Sequence, residues 1–271
     1  MSDRPMIFDD NWLKDARARG SNGSWVDEVI KTLDTTGQIY LSTLGSWFDK
    51  YPLNAGSDRD HLRARLENFQ DNQHLAGVNE LTWWAFMQHD GINGCPLPTS
   101  STPRPDFQLQ APADCFIEVS TVNVSQSDKA KFGDGNSVKL DHAETIRRFI
   151  GKLTDEKEKQ LAYASDCKKP AALALFDYTE WSGFGTQFNL ALGDALLGEK
   201  CAFASLTQKL SAIIYLERRV LCGRIALSRH RSTIYYNPRA LYPLPQGAFG
   251  SLTKFSFQTL SIQSIEPWLY L

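Results

Sequence analysis

Two strands and the turn between them are encoded by PDFQLQAPADCFIEVSTV, the stretch that covers residues 105–122. Its first part, Asp106–Gln110, alternates polar and apolar residues, which is typical of a strand with one buried face. Ala111–Asp114 contains a proline and an aspartate and has the composition of a turn. Cys115–Val122 is more apolar than the first strand, which predicts a strand near the centre of a sheet. The stretch therefore predicts a hairpin whose second strand is buried on both faces.

Glu118 lies in the middle of this second strand, between two apolar neighbours. A carboxylate in such a place is strongly unfavourable unless a basic side chain or a metal ion compensates its charge. Asp106 belongs to the other strand of the hairpin, and neighbouring strands are about 4.8 Å apart, so the two carboxylates can share one cation. Oxygen ligands of this kind suit Mg²⁺ or Mn²⁺. Taken singly, each acid also has a structural explanation: an arginine partner for Glu118 and a turn after proline for Asp106.

The chain before the hairpin is predicted to be mainly helical. Apolar residues at helical spacing, with polar capping residues at some of the starts, indicate helices over residues 24–33, 36–50 and 57–69. A strongly apolar helix from about residue 75 ends at Gly91, a good C-cap residue, and residues 95–105 predict a short edge strand and a loop. We therefore divide the chain into a helical N-terminal region, residues 1–72, and a second unit, residues 73–271.

After the hairpin the pattern alternates between loops, helices and buried strands. Asp141 and Glu144 have the spacing of a capping box at the start of a long helix that runs to about Ser165. The other predicted elements are a flexible loop over 125–139, a buried strand over 171–177, a loop with a short helix over 183–198, and strands over 212–217 and 233–236. This order predicts an α/β fold, with a mixed central β-sheet flanked by helices.

Composition excludes several classes of protein. The 271 residues are 42% hydrophobic and 22% charged, which is typical of a globular chain. A formal net charge of −2 argues against a protein that coats nucleic acid through bulk positive charge. The five cysteines show no metal-ligand spacing, and neither a signal peptide nor an apolar stretch long enough for a bilayer is visible. We therefore expect a cytoplasmic protein with reduced thiols and no membrane partner.

The order of the acids resembles the PD-(D/E)xK nuclease superfamily, whose members share the restriction-endonuclease-like fold. In that family an acid on the first helix precedes Pro-Asp on one strand and Glu-x-Lys on the next. The matching residues here, within about residues 75–180, are Glu80, Pro105-Asp106 and Glu118-Val119-Ser120. The resemblance implies a restriction-endonuclease-like core and metal-dependent hydrolysis of phosphodiesters. It also implies Asp106 and Glu118 as ligands of Mg²⁺ or Mn²⁺, with Glu80 as an accessory ligand.

The lysine of the family motif is absent from its usual place, where this chain has Ser120. In the superfamily this lysine is known to migrate to the neighbouring helix. On the predicted helix over 141–165, Lys157 lies near the centre of the apolar stripe, four residues from both Leu153 and Leu161. A lysine directed into the interface between helix and sheet needs an anionic partner, which the two acids would supply.

Gln160 lies on the same predicted face as Lys157 and matches the Lys-then-Gln arrangement of some members of the family. We therefore assign both residues to the catalytic group, together with Glu80, Asp106 and Glu118. The alternative is that the helix breaks near Thr154-Asp155 and that Lys157 turns outward to solvent. Lys152 and Lys159 fall on the solvated side of the helix in the same projection.

Four residues are candidates for substrate binding. Ser120 has the position to hydrogen-bond a metal-bound water, and Trp181 has the position to stack on a base, although packing roles are also open to both. Arg229 and Arg231 belong to a locally basic part of the chain that suits a phosphate backbone, but a solvated face or pairing with acids is the more common explanation of such residues.

The function that these patterns favour is a metal-dependent endonuclease in restriction, repair or anti-phage defence, with DNA as the favoured partner. The metal would lower the pKa of a bound water, and Lys157 would orient that water or stabilise the developing charge. The alternative is a catalytically inactive protein that kept the fold and binds nucleic acid or a partner protein, which Ser120 in place of the lysine favours. Because restriction-like enzymes are often dimers, we keep a homodimer as a hypothesis.

Overall fold

The computed structural model describes residues 7–19, 24–53, 56–122, 141–155, 157–176, 185–198, 202–204, 206–229, 231–250, 252–254 and 268–271. Its helices are α1 (Asp10–Ala18), α2 (Trp25–Lys31), α3 (Thr36–Lys50), α4 (Ser57–Leu66), α5 (Asp71–His89), α6 (His142–Asp155), α7 (Glu158–Asp166) and α8 (Gly185–Leu197). Its strands are β1 (Asn93–Pro96), β2 (Phe107–Ala111), β3 (Cys115–Thr121), β4 (Ala171–Phe176), β5 (Ala212–Leu216), β6 (Arg218–Leu221), β7 (Arg224–Ser228), β8 (Thr233–Tyr236), β9 (Thr253–Lys254) and β10 (Trp268–Tyr270).

The described strands form a mixed seven-stranded sheet in the order β1-β2-β3-β4-β5-β8-β9, and a smaller sheet in the order β10-β7-β6. β3, β4 and β5 run parallel to one another at the centre of the larger sheet. On either side of this parallel group, β1 pairs antiparallel with β2, β2 with β3, and β8 with β5, whereas β9 pairs parallel with β8. The expected α/β fold with a mixed sheet flanked by helices is therefore confirmed.

Helices cover both faces of the larger sheet because the central strands are apolar on both faces. Along β4, Ala172, Ala174 and Phe176 pack into the core that contains residues of α1–α5. The alternate residues of β4 pack into the second core, which is built with α6, α7 and α8. Phe116 of β3 lies in this second core, so the side chain of Glu118, two residues later, points to the same face.

The predicted hairpin over residues 105–122 is present as β2 and β3. Phe107 is opposite Ile117 in its antiparallel register. The predicted capping box of α2 is also present, since Ser24 Oγ accepts the Asp27 N–H at 3.2 Å and Asp27 Oδ2 accepts the Ser24 N–H at 3.1 Å. These features were predictable because each depends on residues close together in the sequence.

The single long helix expected over residues 141–165 is wrong. α6 ends at Asp155 and α7 begins at Glu158, with Lys157 as the N-cap residue of α7. The break lies next to Thr154-Asp155, where the alternative prediction placed it. The start of the helix is as expected, because Asp141 Oδ1 accepts the Glu144 N–H at 2.9 Å. The flexible loop expected over 125–139 lies outside the described residues.

The hairpin of β6 and β7 was not predicted from the sequence. Its two-residue turn, Cys222-Gly223, has φ of 50° and 78°, a combination typical of tight hairpin turns. A Cβ atom at Gly223 would lie 2.4 Å from the carbonyl oxygen of Thr36, so the close approach to α3 also requires glycine. Cys-Gly between two alternating runs was the local signal for this turn.

The predicted division of the chain at residues 72 and 73 falls within the first turn of α5. Side chains of α1–α4 share one hydrophobic core with α5 and the sheet. Within the described ranges, no helix has the length and apolar character that crossing a bilayer requires.

Candidate functional site

Glu118 lies at the centre of the candidate site, on β3. It is 2% exposed, and its Oε1 atom accepts hydrogen bonds from Lys157 Nζ and, at 3.0 Å, from Gln160 Nε2. Its Oε2 atom is also buried and has no hydrogen-bond partner among the residues that the structure describes. One oxygen of this carboxylate is therefore neutralised by a lysine, and the other is available to a ligand.

Lys157 reaches Glu118 from the break between α6 and α7. Its N–H donates to the Lys152 carbonyl at 3.3 Å, and its own carbonyl accepts the Leu161 N–H at 3.0 Å. Leu153 and Leu161 are buried on either side, so the lysine stem lies between two anchored residues and its side chain is only 15% exposed. The expected inward orientation is therefore observed, although the helix breaks at this point. Burial of the stem and the ion pair with Glu118 together favour this orientation over solvent.

Asp106 lies just before β2, next to Glu118. Because Phe107 is opposite Ile117, the antiparallel register places Asp106 across from Glu118. Asp106 Oδ2 accepts the N–H of Val119 at 2.7 Å, which fixes the carboxylate against β3. The hairpin therefore brings together the two acids that sequence analysis selected.

Burial raises the pKa of Asp106 well above its ordinary value, and the negative charges of Glu118 and Glu80 raise it further. The Val119 N–H and the charge of Lys157 oppose this rise only in part. Burial also raises the pKa of Glu118, against the opposing effect of Lys157. The site is thus deficient in positive charge, and a bound cation would stabilise the ionised form of both acids.

Glu80 reaches the same group of charges from α5, but both of its oxygens are occupied. Oε1 accepts a hydrogen bond from the Tyr51 hydroxyl at 2.8 Å, and Oε2 accepts one from Arg65 Nη2. Burial raises the pKa of Tyr51 well above its ordinary value, and the charge of Glu80 acts in the same direction. Tyr51 and Arg65 are functional candidates that sequence analysis missed, because their positions, just after α3 and on α4, carry no motif.

Ser120 is buried on the same face of β3 as Glu118, since alternate strand residues share a face. Its register partner in the sheet is Leu175. This position is compatible with the substrate-binding role expected for it, and with packing.

Arg231 takes part in an ion pair away from Glu118. Its Nη1 atom lies 3.1 Å from Oε1 of the buried Glu217, and Arg219 Nη2 lies 3.3 Å from the same oxygen. Pairing with an acid, one of the two alternatives, is thus observed for Arg231. Arg229, which follows β7, is partly buried. Trp181 lies outside the described residues.

The described side chains suit a cation that prefers oxygen ligands, through the carboxylates of Asp106 and Glu118. Among the described residues, this group contains three acids, Glu80, Asp106 and Glu118, and two cationic side chains, Lys157 and Arg65. Among the described residues, no three His, Cys, Asp or Glu side chains are grouped closely enough to hold a metal ion together. An ion at Glu118 would therefore take two protein carboxylates and complete its coordination with water or substrate oxygens.

Compared with protein-family models, curated proteins and solved structures, the chain gives no significant match in any of the three sets.

Proposed function

We propose that this chain is a metal-dependent nuclease with a restriction-endonuclease-like core, which hydrolyses phosphodiester bonds in DNA. The observation that supports the proposal is the convergence of three side chains on Glu118: Asp106 by the hairpin register, and Lys157 and Gln160 by direct hydrogen bonds. Asp106, Glu118 and Lys157 are the residue types of the PD-(D/E)xK motif, although Lys157 lies at the start of α7 and not on the strand of Glu118. Restriction, repair and anti-phage defence are the settings in which such an activity would act.

Asp106 and Glu118 would hold the ion, Mg²⁺ or Mn²⁺, with Asp106 Oδ2 oriented by the Val119 N–H and Glu118 Oε2 without a partner in the described chain. Such an ion supplies a bound water of lowered pKa and neutralises charge on the attacked phosphate. The residues of the chain position this chemistry and keep it out of bulk water, since Glu118 is buried in the interface between β3 and α7.

Lys157 and Gln160 orient Glu118, because both donate to Oε1 and leave Oε2 directed elsewhere. The ammonium group of Lys157 also brings a positive charge within hydrogen-bonding distance of the carboxylate. When phosphate approaches, the same ammonium group can orient the attacking water or stabilise the charge that develops on the phosphate. A single lysine thus has a structural role without substrate and an electrostatic role with it.

The proposal is tested by incubating the full chain with supercoiled plasmid, linear duplex and single-stranded DNA in Mg²⁺, Mn²⁺ or EDTA. We expect cleavage only with a divalent ion and a loss on the order of 100-fold or more in Lys157→Ala. Lys159→Ala is the matched control, because Lys159 is exposed on the same helix and should leave the rate unchanged. Cleavage that persists in EDTA, or at full rate in Lys157→Ala, would contradict the proposal.

A second candidate function is a catalytically inactive protein that binds nucleic acid or a partner protein. The Glu118–Lys157 ion pair favours this alternative, because it compensates the buried carboxylate without any metal. DNA binding without cleavage in any divalent ion would select it.

A further inference from the structure

Arg65 is a cation at the edge of the acidic site that the proposed mechanism does not use. It lies on α4, and one of its nitrogens, Nη2, donates to Glu80 Oε2. Burial lowers the pKa of Arg65, but the charges of Glu80 and Asp106 raise it, and the net shift is upward. Among the residues that the structure describes, Arg65 and Lys157 are the two cations in ion pairs with the acids of this site.

The guanidinium of Arg65 is held at one nitrogen and open at the others. A guanidinium has five N–H donors, and the hydrogen bonds of Arg65 within the described chain use one nitrogen. Its side chain is 35% exposed, whereas the Glu80 side chain to which it is bound is 10% exposed. The remaining donors therefore face solvent beside the carboxylates, where a substrate would approach.

Glu80 holds Arg65 in a rigid arrangement. The other oxygen of Glu80 is bound by the Tyr51 hydroxyl, and the Tyr51 ring packs edge-on against Trp84 at 5.7 Å and Phe107 at 6.3 Å between centroids. Because both Tyr51 and Glu80 are buried, the guanidinium is oriented before any ligand arrives. Pre-orientation reduces the entropy that a bidentate contact with an oxyanion would otherwise cost.

Charge also favours a phosphate contact at this position. A phosphodiester backbone approaching Glu80, Asp106 and Glu118 meets three carboxylates, of which Lys157 neutralises one in direct contact. Arg65 neutralises a second carboxylate, that of Glu80, and its other N–H donors remain on the solvent side. Arginine is the side chain best suited to this task, since its planar fork matches two oxygens of one phosphate.

We propose that Arg65 binds a phosphate of the nucleic-acid backbone through its solvent-facing donors, with Glu80 as its counter-ion and not as a metal ligand. This inference rests on the proposed function, because it takes the nucleic-acid substrate as given. It assigns a binding residue to α4, in the helical region before residue 72.

The test is fluorescence anisotropy of 5′-labelled single-stranded and duplex DNA with the full chain in EDTA, so that binding is measured without cleavage. Arg65→Lys keeps the positive charge beside Glu80 and loses the fork, and we expect its affinity to fall about threefold to tenfold. Arg65→Ala/Glu80→Gln removes the contact without leaving an unpaired buried carboxylate. For this double variant we expect the slope of log affinity against log salt to fall by about one.

Arg63→Ala is the matched control, since Arg63 lies on the same helix and pairs with Glu67 and Asp9. It should keep wild-type affinity and salt slope. Unchanged affinity and slope in both Arg65 variants, with wild type still binding and cutting DNA, would overturn the inference and leave the proposed function standing. Weakened binding in the Arg65 variants of a protein that never cuts DNA would support the inference and contradict the nuclease. A wild type that binds neither form of DNA overturns both.

Discussion

Glu118 and Glu217 are two buried glutamates on the same sheet, and their surroundings differ in the sign of the neighbouring charges. Glu217 follows β5 and is 0% exposed, and its Oε1 atom lies within 3.3 Å of two arginines, Arg219 and Arg231. Glu118 has one lysine on Oε1, and Asp106 and Glu80 raise the negative charge around it. In both glutamates Oε2 is buried without a hydrogen-bond partner in the described part of the chain.

The comparison shows that burial of a carboxylate does not by itself indicate a metal site. Around Glu217 the neighbouring cations exceed the acid, so its charge is compensated inside the protein by Arg219 and Arg231. Around Glu118 the acids exceed the cations, so the site gains from an added cation.

The largest difference between variants of Glu118 and of Glu217 is expected in the rate of DNA cleavage. Glu118→Gln removes a charged ligand of the proposed metal site and should lower the rate on the order of 10³-fold, because the proposed ion would lose one of its two carboxylates. Glu217→Gln removes a charge that has no role in the reaction and should leave the rate within about threefold, provided that the protein is folded. Single-turnover cleavage of a labelled duplex measures both. An equal loss of cleavage rate in the two variants would contradict the proposed difference between the two glutamates.

The second difference is expected in stability. Arg219→Ala/Arg231→Ala leaves the fully buried carboxylate of Glu217 without either of these cations and should cost about 3 kcal/mol of unfolding free energy. Arg231→Ala alone should cost less than about 1 kcal/mol, because its side chain is 43% exposed and solvent screens the pair. Urea unfolding followed by circular dichroism measures both values. Equal costs in the single and the double variant would contradict this order.

The third difference is expected in the response to metal. Mg²⁺ should raise the melting temperature of the wild type, by an amount equivalent to about 2.7 kcal/mol when its concentration is 100 times the dissociation constant. Asp106→Asn should lose this rise, whereas Glu80→Gln should keep it, because both oxygens of Glu80 are already bound by Tyr51 and Arg65. Glu217→Gln is the control for a buried glutamate outside the site. A rise that survives in Asp106→Asn would show that the ion binds elsewhere.

The smallest difference is expected in pH dependence without metal. The folded pKa of Asp106 lies above the ordinary value of 3.8, so the folded chain holds this proton more tightly than the unfolded chain. The associated stability is present below pH 3.8 and is lost as pH rises through the folded pKa. In EDTA, Asp106→Asn should therefore lose less stability than the wild type as pH rises above 3.8. Urea unfolding across this range measures the slopes, and parallel slopes would contradict the assignment.

Local patterns predicted most of the central fold. The hairpin of residues 105–122 was predictable because alternation and turn composition depend on neighbouring residues. The α2 capping box was predictable for the same reason. The break between α6 and α7 was harder to predict, because the apolar stripe continues across it from Leu153 to Leu161. α6 and α7 both direct this apolar stripe toward the sheet, although they do not form one continuous helix.

The candidate site was predictable only where a residue carries a motif or an unusual position. Glu118 stood out as an acid in an apolar strand, and Lys157 as a base in an apolar stripe. Arg65 and Tyr51 carry no such signal, since an arginine among polar helix residues and a tyrosine after a helix are ordinary. Their association with Glu80 depends on how α3, α4 and α5 pack, which involves residues 15 to 29 positions apart.

The hairpin, the acids that it carries and the inward side of the following helix could be predicted from the sequence, because periodicity and turn chemistry act over a few residues. Which acids are paired with cations follows instead from how distant segments pack together. Glu80 is enclosed by Tyr51 and Arg65, Glu217 by two arginines, and Glu118 keeps one buried oxygen without a hydrogen bond in the described chain. The physical reason is that the charge state of a buried carboxylate depends on neighbours brought together by packing, and local sequence does not encode those neighbours.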